Sequence, residues 1–184
     1  MPLKEHASFS SSKTSKQNQQ ACSHSLKAIE NHIARADQAI EEIIKADEEL
    51  TRIFKLATSV SGIGKVTAVQ VIVTTNEFKD ISDPKKFACY SGVAPFTDDS
   101  GKVIKKARVS HMANKKVKTL LHLAAIVAIQ HNQDLKRFYE RKVLQEKKNK
   151  MSVINAVRNK LILRLFACVN QNRPYEKNYQ KLVA

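Results

Sequence analysis

Apolar residues recur with helical spacing along most of the chain, and the longest regular pattern lies in its first third. Residues 23–60 are predicted to form one coiled-coil helix, because their apolar residues alternate at spacings of three and four with a single break at Asp47. A single helix cannot bury such a seam alone. We expect it to pair with another chain, and packing against its own domain is the alternative. The seam residues are Leu26, Ile29, Ile33, Ala36, Ile40, Ile43, Leu50 and Phe54.

The two ends of the chain lack this pattern. Residues 1–22 are rich in Ser, Lys and Gln and are predicted to be disordered or a loop. Residues 176–184 are assigned to a polar tail, which leaves 61–175 as one domain. With 4 glycines and 4 prolines among 184 residues, the fold is expected to be mainly helical.

A glycine-containing turn, Ser61-Gly62-Ile63-Gly64, separates the first helix from a second one that is predicted to start at Lys65. Two helices joined in this way are typical of a helix-hairpin-helix motif. Glycine permits positive φ and a close approach of DNA, and the amides at the start of the second helix would form an anion site. Gly62, Gly64 and Lys65 are therefore candidate DNA-binding residues, and an ordinary tight turn is the alternative.

Downstream, Asp83 and Pro84 predict the N-cap and the first residue of a short helix that ends before Gly92. A hairpin turn at residues 98–101 is predicted to join strands at 93–96 and 103–109. Three helices follow, at residues 114–130, 134–148 and 152–169. The predicted architecture is thus a coiled-coil helix followed by a helical domain with one short β-hairpin.

The distribution of charge bears on function, because the whole net positive charge of +15 lies after the first sixty residues. Residues 1–60 carry 8 basic and 8 acidic residues, whereas residues 61–184 carry 24 basic and 9 acidic residues. Such an excess favours a polyanionic partner, above all DNA, over a merely basic surface. No membrane partner is expected, because no segment combines a basic face with an aromatic-rich one.

The cysteines and the N-terminal sequence indicate the cellular compartment of the protein. Cys22, Cys89 and Cys168 are far apart and form no CxxC pair, which indicates a reducing compartment and no zinc ribbon. No signal peptide is visible, and a cytoplasmic protein is expected.

Basic residues cluster between positions 102 and 118, where no acidic residue occurs. They flank the predicted hairpin and the start of a helix, two places where phosphates are commonly held. If about six of them contact phosphates, log affinity should fall with log salt at a slope of about −5. The candidate phosphate-binding residues are Lys102, Lys105, Lys106, Arg108, Lys115 and Lys116.

Ser100 lies at the tip of the predicted hairpin. By chemistry alone it is a turn residue, because no His, Lys or Asp stands at a spacing that would activate it. The order of motifs around it adds a further interpretation. The motifs are residues 60–68 (VSGIGKVTA), 87–95 (FACYSGVAP), 100–102 (SGK), 109–115 (VSHMANK), 120–125 (LLHLAA) and Lys160-Leu161.

In this order the motifs resemble the C-terminal transposase domain of the insertion-sequence one-ten family, the pilin-inversion-like, bridge-RNA-guided recombinases. The resemblance covers residues 50–175. It implies that Ser100 is a nucleophile that attacks a DNA phosphate and forms a phosphoserine link. It also implies a coiled coil that mediates assembly into a homo-oligomer, and a structured guide RNA as a possible partner.

The family also has an N-terminal RuvC-like domain, whose four acidic residues hold Mg²⁺, and this chain is expected to lack it. No cofactor and no metal ligand are therefore assigned to this chain, and Mg²⁺ is expected only with that domain. The chain also carries His111, Met112 and Ala113 where the family usually has Lys-Arg-Gly.

We expect a truncated transposase or site-specific recombinase that binds DNA and is inactive alone. Two alternatives are a non-catalytic helix-hairpin-helix module with a dimerising coiled coil, and an oligomerisation scaffold.

Overall fold

The computed structural model describes residues 12–96, 108–109 and 112–176, and it is mainly helical, as predicted. The chain divides into two compact units, residues 1–48 and 49–184. Within the described residues we label the elements as follows: α1 Ser12–Ala46, α2 Glu48–Ser59, α3 Lys65–Thr75, α4 Pro84–Tyr90, β1 Pro95–Phe96, β2 Arg108–Val109, α5 Lys115–His131, α6 Gln133–Glu140 and α7 Lys150–Asn170.

Helix α1 starts at Ser12, so the prediction of disorder or a loop over residues 1–22 is wrong for residues 12–22. No glycine or proline occurs between Pro2 and Gly62, and Lys and Gln are good helix formers, so nothing in this segment ends a helix. The seam is exposed, since Ile29, Ile33 and Ile43 are each more than half accessible. Pairing of this seam with a partner stays a prediction.

The predicted single helix over residues 23–60 is in fact two, because the chain breaks at Asp47 between α1 and α2. Asp is a poor residue inside a helix, since its side chain competes for backbone hydrogen bonds. Helix α2 buries Ile53, Leu56 and Ala57 in the core of the second unit. The last part of the apolar pattern therefore belongs to a globular core.

The short helix α4 confirms its prediction. The Asp83 carboxylate accepts a hydrogen bond from the Lys85 amide at 2.9 Å, and Pro84 occupies the first helical position. Phe87 on α4 is fully buried and packs on Phe166 of α7, with ring centroids 5.2 Å apart. This contact anchors α4 to α7.

Three asparagines cap the last three helices. Asn114, Asn132 and Asn149 each accept hydrogen bonds from amides in the first turn of α5, α6 and α7. Helix α6 is shorter than predicted, because a π-helical turn at Arg141–Gln145 follows it.

Helix α5 packs on α3, α6 and α7 and is the central helix of the second unit. Its buried face includes Leu121, Ala125 and Ala128. Part of its apolar surface, at Leu123 and Val127, is exposed.

Within the described residues, β1 and β2 pair antiparallel, with Pro95 opposite Val109 and Phe96 opposite Arg108. Strand β1 begins later than predicted because Val93 is buried after α4, where its amide donates to the Ala88 carbonyl at 2.9 Å. The predicted turn at 98–101 lies outside the described residues, so the hairpin stays a prediction. Across the part of the chain that the structure describes, we find no helix with the length and apolarity that a membrane span needs.

Candidate nucleic-acid interface

The turn between α2 and α3 is closed by a hydrogen bond from the Ile63 amide to the Val60 carbonyl at 2.9 Å. Gly62 has φ +94°, a conformation that L side chains rarely adopt. A Cβ atom at Gly62 would lie 2.5 Å from the Ala124 carbonyl oxygen and 2.6 Å from Ala128 Cβ. Glycine is thus required here for close packing on α5, a reason that differs from the predicted approach of DNA.

Gly64 has a different environment. It is exposed, and a Cβ atom placed on it would meet no atom within 4 Å. It is the N-cap of α3 and provides no side-chain cap, while its carbonyl accepts from the Ala68 amide at 2.9 Å. Lys65 and Val66 in the first turn of α3 are also exposed. The start of α3 is therefore open to an anion, which helix N-termini favour.

An open depression of about 350 Å³ lies between this turn and α5. Its rim includes Leu123 and Val127, which are 54% and 42% exposed. The surface beside Gly64 is thus apolar on the side formed by α5.

The second predicted site, Lys115 and Lys116, forms the exposed start of α5. Its position is fixed by Asn114, whose backbone amide donates to the Tyr90 carbonyl and whose side-chain amide donates to the Tyr90 hydroxyl, both at 2.9 Å. Among the described residues, Lys115, Lys116 and Lys118 form no ion pair. Their charges are therefore available to an external anion.

Helix α5 connects the two predicted sites but keeps them apart. Gly62 contacts Ala124, nine residues after Lys115, which corresponds to about 13 Å along the helix axis. The backbone of Arg108 pairs with Phe96 in the small sheet. Ser100, Lys102, Lys105 and Lys106 lie outside the described residues, so their roles stay predictions.

A partly buried polar cluster between α5 and α7 was not predicted from the sequence. Arg158 on α7 is only 6% exposed. One of its terminal nitrogens lies 2.6 Å from His122 Nδ1 on α5, and the other lies 3.3 Å from Asn155 Oδ1. Burial lowers the pKa of His122 below its usual value, and the positive charge of Arg158 lowers it further. Burial also lowers the pKa of Arg158.

One signal in the sequence points to this cluster. Arg158 has helical spacing to Leu161 and Leu165, two core residues of α7. A basic residue on the apolar face of a helix is expected to have a polar partner, because charged side chains are almost never fully buried unless they are paired.

Helices α5 and α7 share an unusual composition. They pack directly on each other, and their sequences contain seven Lys or Arg residues and not one Asp or Glu. In contrast, α1 carries acidic and basic residues interleaved along its length. This helix pair therefore contributes seven of the fifteen net positive charges of the chain.

The described residues do not offer a site for Mg²⁺. Over these residues, no group of three or more His, Cys, Asp or Glu side chains is arranged to hold a metal ion. No step of the chemistry is therefore assigned to a metal held by them.

Comparison with known proteins shows that the sequence of this region is similar to a family of transposases. The profile of the transposase IS116/IS110/IS902 family matches residues 55–140. The pilin gene-inverting protein of Moraxella bovis is 26% identical over 146 residues, covering 79% of this chain and 45% of that protein. An uncharacterized 43.6 kDa protein of insertion element IS110 from Streptomyces coelicolor is 25% identical over 139 residues, covering 76% of this chain and 34% of its own length.

The chain spans less than half the length of these curated relatives. The matched region includes the turn at Gly62 and Gly64 and the whole of α5 and α6. Residues 55–140 of this chain therefore constitute a transposase domain of the IS116/IS110/IS902 family.

Proposed function

We propose that this chain is the DNA-binding C-terminal portion of a transposase or site-specific recombinase that acts in DNA transposition. The observation that carries the proposal is the packed pair α5 and α7, which has seven basic residues and no acidic one. Helix α5 lies inside the region that matches the transposase family, residues 55–140. Phosphodiester groups neutralise such a surface and release condensed counterions, which drives binding. The family match supports DNA as the polyanion.

The turn between α2 and α3 acts as a helix-hairpin-helix in this proposal. Gly62 sets the packing of the turn on α5, and Gly64 leaves the first amides of α3 open to a backbone phosphate. Lys65 adds a positive charge at the same helix end. Contacts of this kind position DNA without reading its sequence, so specificity must come from elsewhere, such as a structured guide RNA.

Ser100 is the proposed nucleophile. In the reaction its oxygen forms a bond to a DNA phosphorus, the ester bond from that phosphorus to one deoxyribose oxygen breaks, and the departing oxygen takes up a proton. The serine hydroxyl proton passes to solvent. Lys102, Lys105, Lys106 and Arg108 are proposed to hold the neighbouring phosphates. Mg²⁺ and a RuvC-like domain complete this chemistry in the family that the chain resembles.

Helix α1 supplies the proposed assembly surface. Its isoleucines at positions 29, 33 and 43 are 56%, 56% and 62% exposed, although they share one heptad-like seam. Burying such a seam against an identical helix removes apolar surface from water, at roughly 25 cal/mol per Å². We therefore propose a homo-oligomer held by a coiled coil.

Salt-dependent gel shifts on duplex DNA and on a structured RNA test the binding. The double variant Lys115→Gln/Lys116→Gln should bind duplex more weakly and lower the slope of log affinity against log salt by about 2. Lys85→Gln/Lys86→Gln is the matched control, because these are also adjacent, exposed lysines in a first helical turn. The control should keep the wild-type slope. Absence of any shift at low salt contradicts the proposal.

The nucleophile is tested by trapping a covalent protein–DNA adduct after the chain is supplied with a RuvC-like domain of the resembled family and Mg²⁺. Ser100→Ala should abolish the adduct, and Ser152→Ala, which changes an exposed serine on α7, should not. An adduct that persists in Ser100→Ala shows that another residue attacks DNA. Duplex binding with no adduct from the wild-type chain favours a non-catalytic binding module.

A further inference from the structure

The cluster of Arg158, His122 and Asn155 contains a buried positive charge that the packing of the fold does not explain. The guanidinium of Arg158 makes two contacts, to His122 Nδ1 and to Asn155 Oδ1, and both partners are side chains without negative charge. Its Nε atom is buried and has no hydrogen-bond partner among the residues that the structure describes. An arginine that is 6% exposed is thus held with one donor unsatisfied.

The protonation states in this cluster follow from the donors. Arg158 has only N–H donors, so His122 Nδ1 must accept, and His122 is neutral with its proton on Nε2. Burial keeps the pKa of His122 low, in agreement with a neutral ring. No carboxylate pairs with Arg158 anywhere in residues 12–96, 108–109 and 112–176. Within the residues that the structure describes, the positive charge of Arg158 therefore has no carboxylate counter-ion.

A buried charge without a counter-ion is unfavourable, and proteins normally pair it or replace it by an apolar residue. Neighbouring α7 positions 157, 161, 162 and 165 are fully buried apolar residues, so an aliphatic residue would suit the environment of position 158. An arginine at this position therefore favours a bound anion as the partner that completes the cluster.

The surroundings indicate which anion. Lys115, Lys118 and His122 follow one another at spacings of three and four on α5, so they lie along one side of that helix. On the other side of the cluster, the side-chain amide of Asn155 donates to the Val93 carbonyl at 2.8 Å. Val93 lies two residues before β1, which leads into the segment that contains Ser100. Polar side chains with positive charges at Lys115, Lys118 and Arg158 thus extend from the start of α5 towards Val93.

We propose that Arg158, with His122 and Asn155 at its edge, is a binding site for one phosphodiester group of a bound nucleic acid. The phosphate supplies the missing negative charge and accepts hydrogen bonds from the guanidinium and from His122 Nε2–H. This inference rests on the proposed DNA-binding function and adds one specific site to it. The site is distinct from the exposed lysines, because its charge comes from a buried residue.

The first experiment compares Arg158→Met with Arg137→Met in the full chain. Both variants lose one arginine charge, and Arg137 is exposed on α6. Arg158→Met should weaken binding to a 30-base-pair duplex by about tenfold or more, the loss expected for a charged hydrogen bond, and should lower the salt slope by about one. Its denaturation midpoint should equal or exceed that of the wild type. Arg137→Met should change affinity by no more than about twofold.

The outcomes separate the two proposals. If wild type and Arg137→Met bind duplex and Arg158→Met binds equally well, the phosphate site is wrong while the DNA-binding function stands. If Arg158→Met is less stable but its folded fraction binds normally, Arg158 has a structural role and the proposal fails. If the wild type itself binds no duplex, both proposals fail.

A second measurement needs no variant at position 158. Diethyl pyrocarbonate modifies neutral imidazoles, and the extent at each histidine can be read by mass spectrometry with and without duplex. Bound duplex should protect His122, whereas His131, an exposed residue at the end of the same helix, should remain reactive. Equal modification of His122 in both samples overturns the proposal.

Discussion

Gly62→Ala tests the contact between the glycine turn and α5. The new Cβ would lie 2.5 Å from the Ala124 carbonyl oxygen and 2.6 Å from Ala128 Cβ, both of which are impossible distances, and the residue would keep φ +94°. Overpacking of this kind costs about 1–3 kcal/mol, and a left-handed backbone costs an alanine about 1–2 kcal/mol. We therefore expect the free energy of unfolding to fall by about 2–5 kcal/mol.

The assay is guanidinium denaturation followed by near-ultraviolet circular dichroism of tyrosine. All four tyrosines lie after residue 48, so the signal reports on the second unit and not on α1. With a typical denaturant dependence for a domain of this size, the midpoint should fall by about 1 M. Gly64→Ala is the matched control, because its φ is −86° and its Cβ meets no atom within 4 Å. It should change stability by less than about 1 kcal/mol.

A second variant sharpens this prediction. Ala128→Gly removes one of the two atoms that the new methyl group would meet, so the double variant Gly62→Ala/Ala128→Gly should recover part of the loss. A coupling energy of about 1 kcal/mol or more is expected for residues in direct contact. If Gly62→Ala is as stable as the wild type, the reasoning about this contact is refuted. Loss of duplex binding at full stability would instead assign Gly62 to the DNA interface.

Three further outcomes are expected. The pKa of His122 is lower in the folded state than its ordinary value of 6.5. The contribution of His122 to stability is therefore present above pH 6.5 and is lost as the pH falls below that value. The denaturation midpoints at pH 7.5 and pH 5.5 should differ more in the wild type than in His122→Asn, because asparagine does not titrate. Asp83→Ala should lower the free energy of unfolding by about 1 kcal/mol through loss of the cap on α4, and Asp83→Asn should retain most of it in the same denaturation assay. Ile33→Lys should shift the mass found by light scattering from that of an oligomer to that of a monomer. Val73→Lys is the control, because Val73 is 70% exposed in the second unit, and it should leave the mass unchanged. An unchanged mass in Ile33→Lys would count against the coiled coil.

The sequence predicted the helical elements wherever local chemistry determines them. Asp83 and Pro84 specify the start of α4, and the structure confirms that cap. The periodic pattern also predicted helices close to α5 and α7. The pattern could not show that the seam divides at Asp47. The same spacing of three and four occurs before Asp47 in an exposed helix and after Asp47 in a helix that packs in the core. That division depends on tertiary packing, which periodicity does not encode.

The candidate site was predictable only in part for a similar reason. The lysines at the start of α5 are evident from their charge and spacing. The cluster around Arg158 combines residues 36 positions apart, His122 and Arg158, and no local pattern connects them. Likewise, two glycines in one turn have the same sequence signal, yet Gly62 faces α5 and Gly64 faces outward. Only the three-dimensional contact distinguishes them.

The lack of acidic residues on α5 and α7 bears on the lifetime of the protein. Two basic helices packed together repel each other, which lowers the stability of the unbound domain and makes it depend on the ionic medium. A polyanion that binds only the folded state adds about 2.7 kcal/mol at one hundred times its dissociation constant. Under the proposed DNA-binding function, molecules without nucleic acid should therefore unfold more often and be degraded sooner than bound ones. The cellular amount of such a chain should then follow the number of DNA sites that it can occupy.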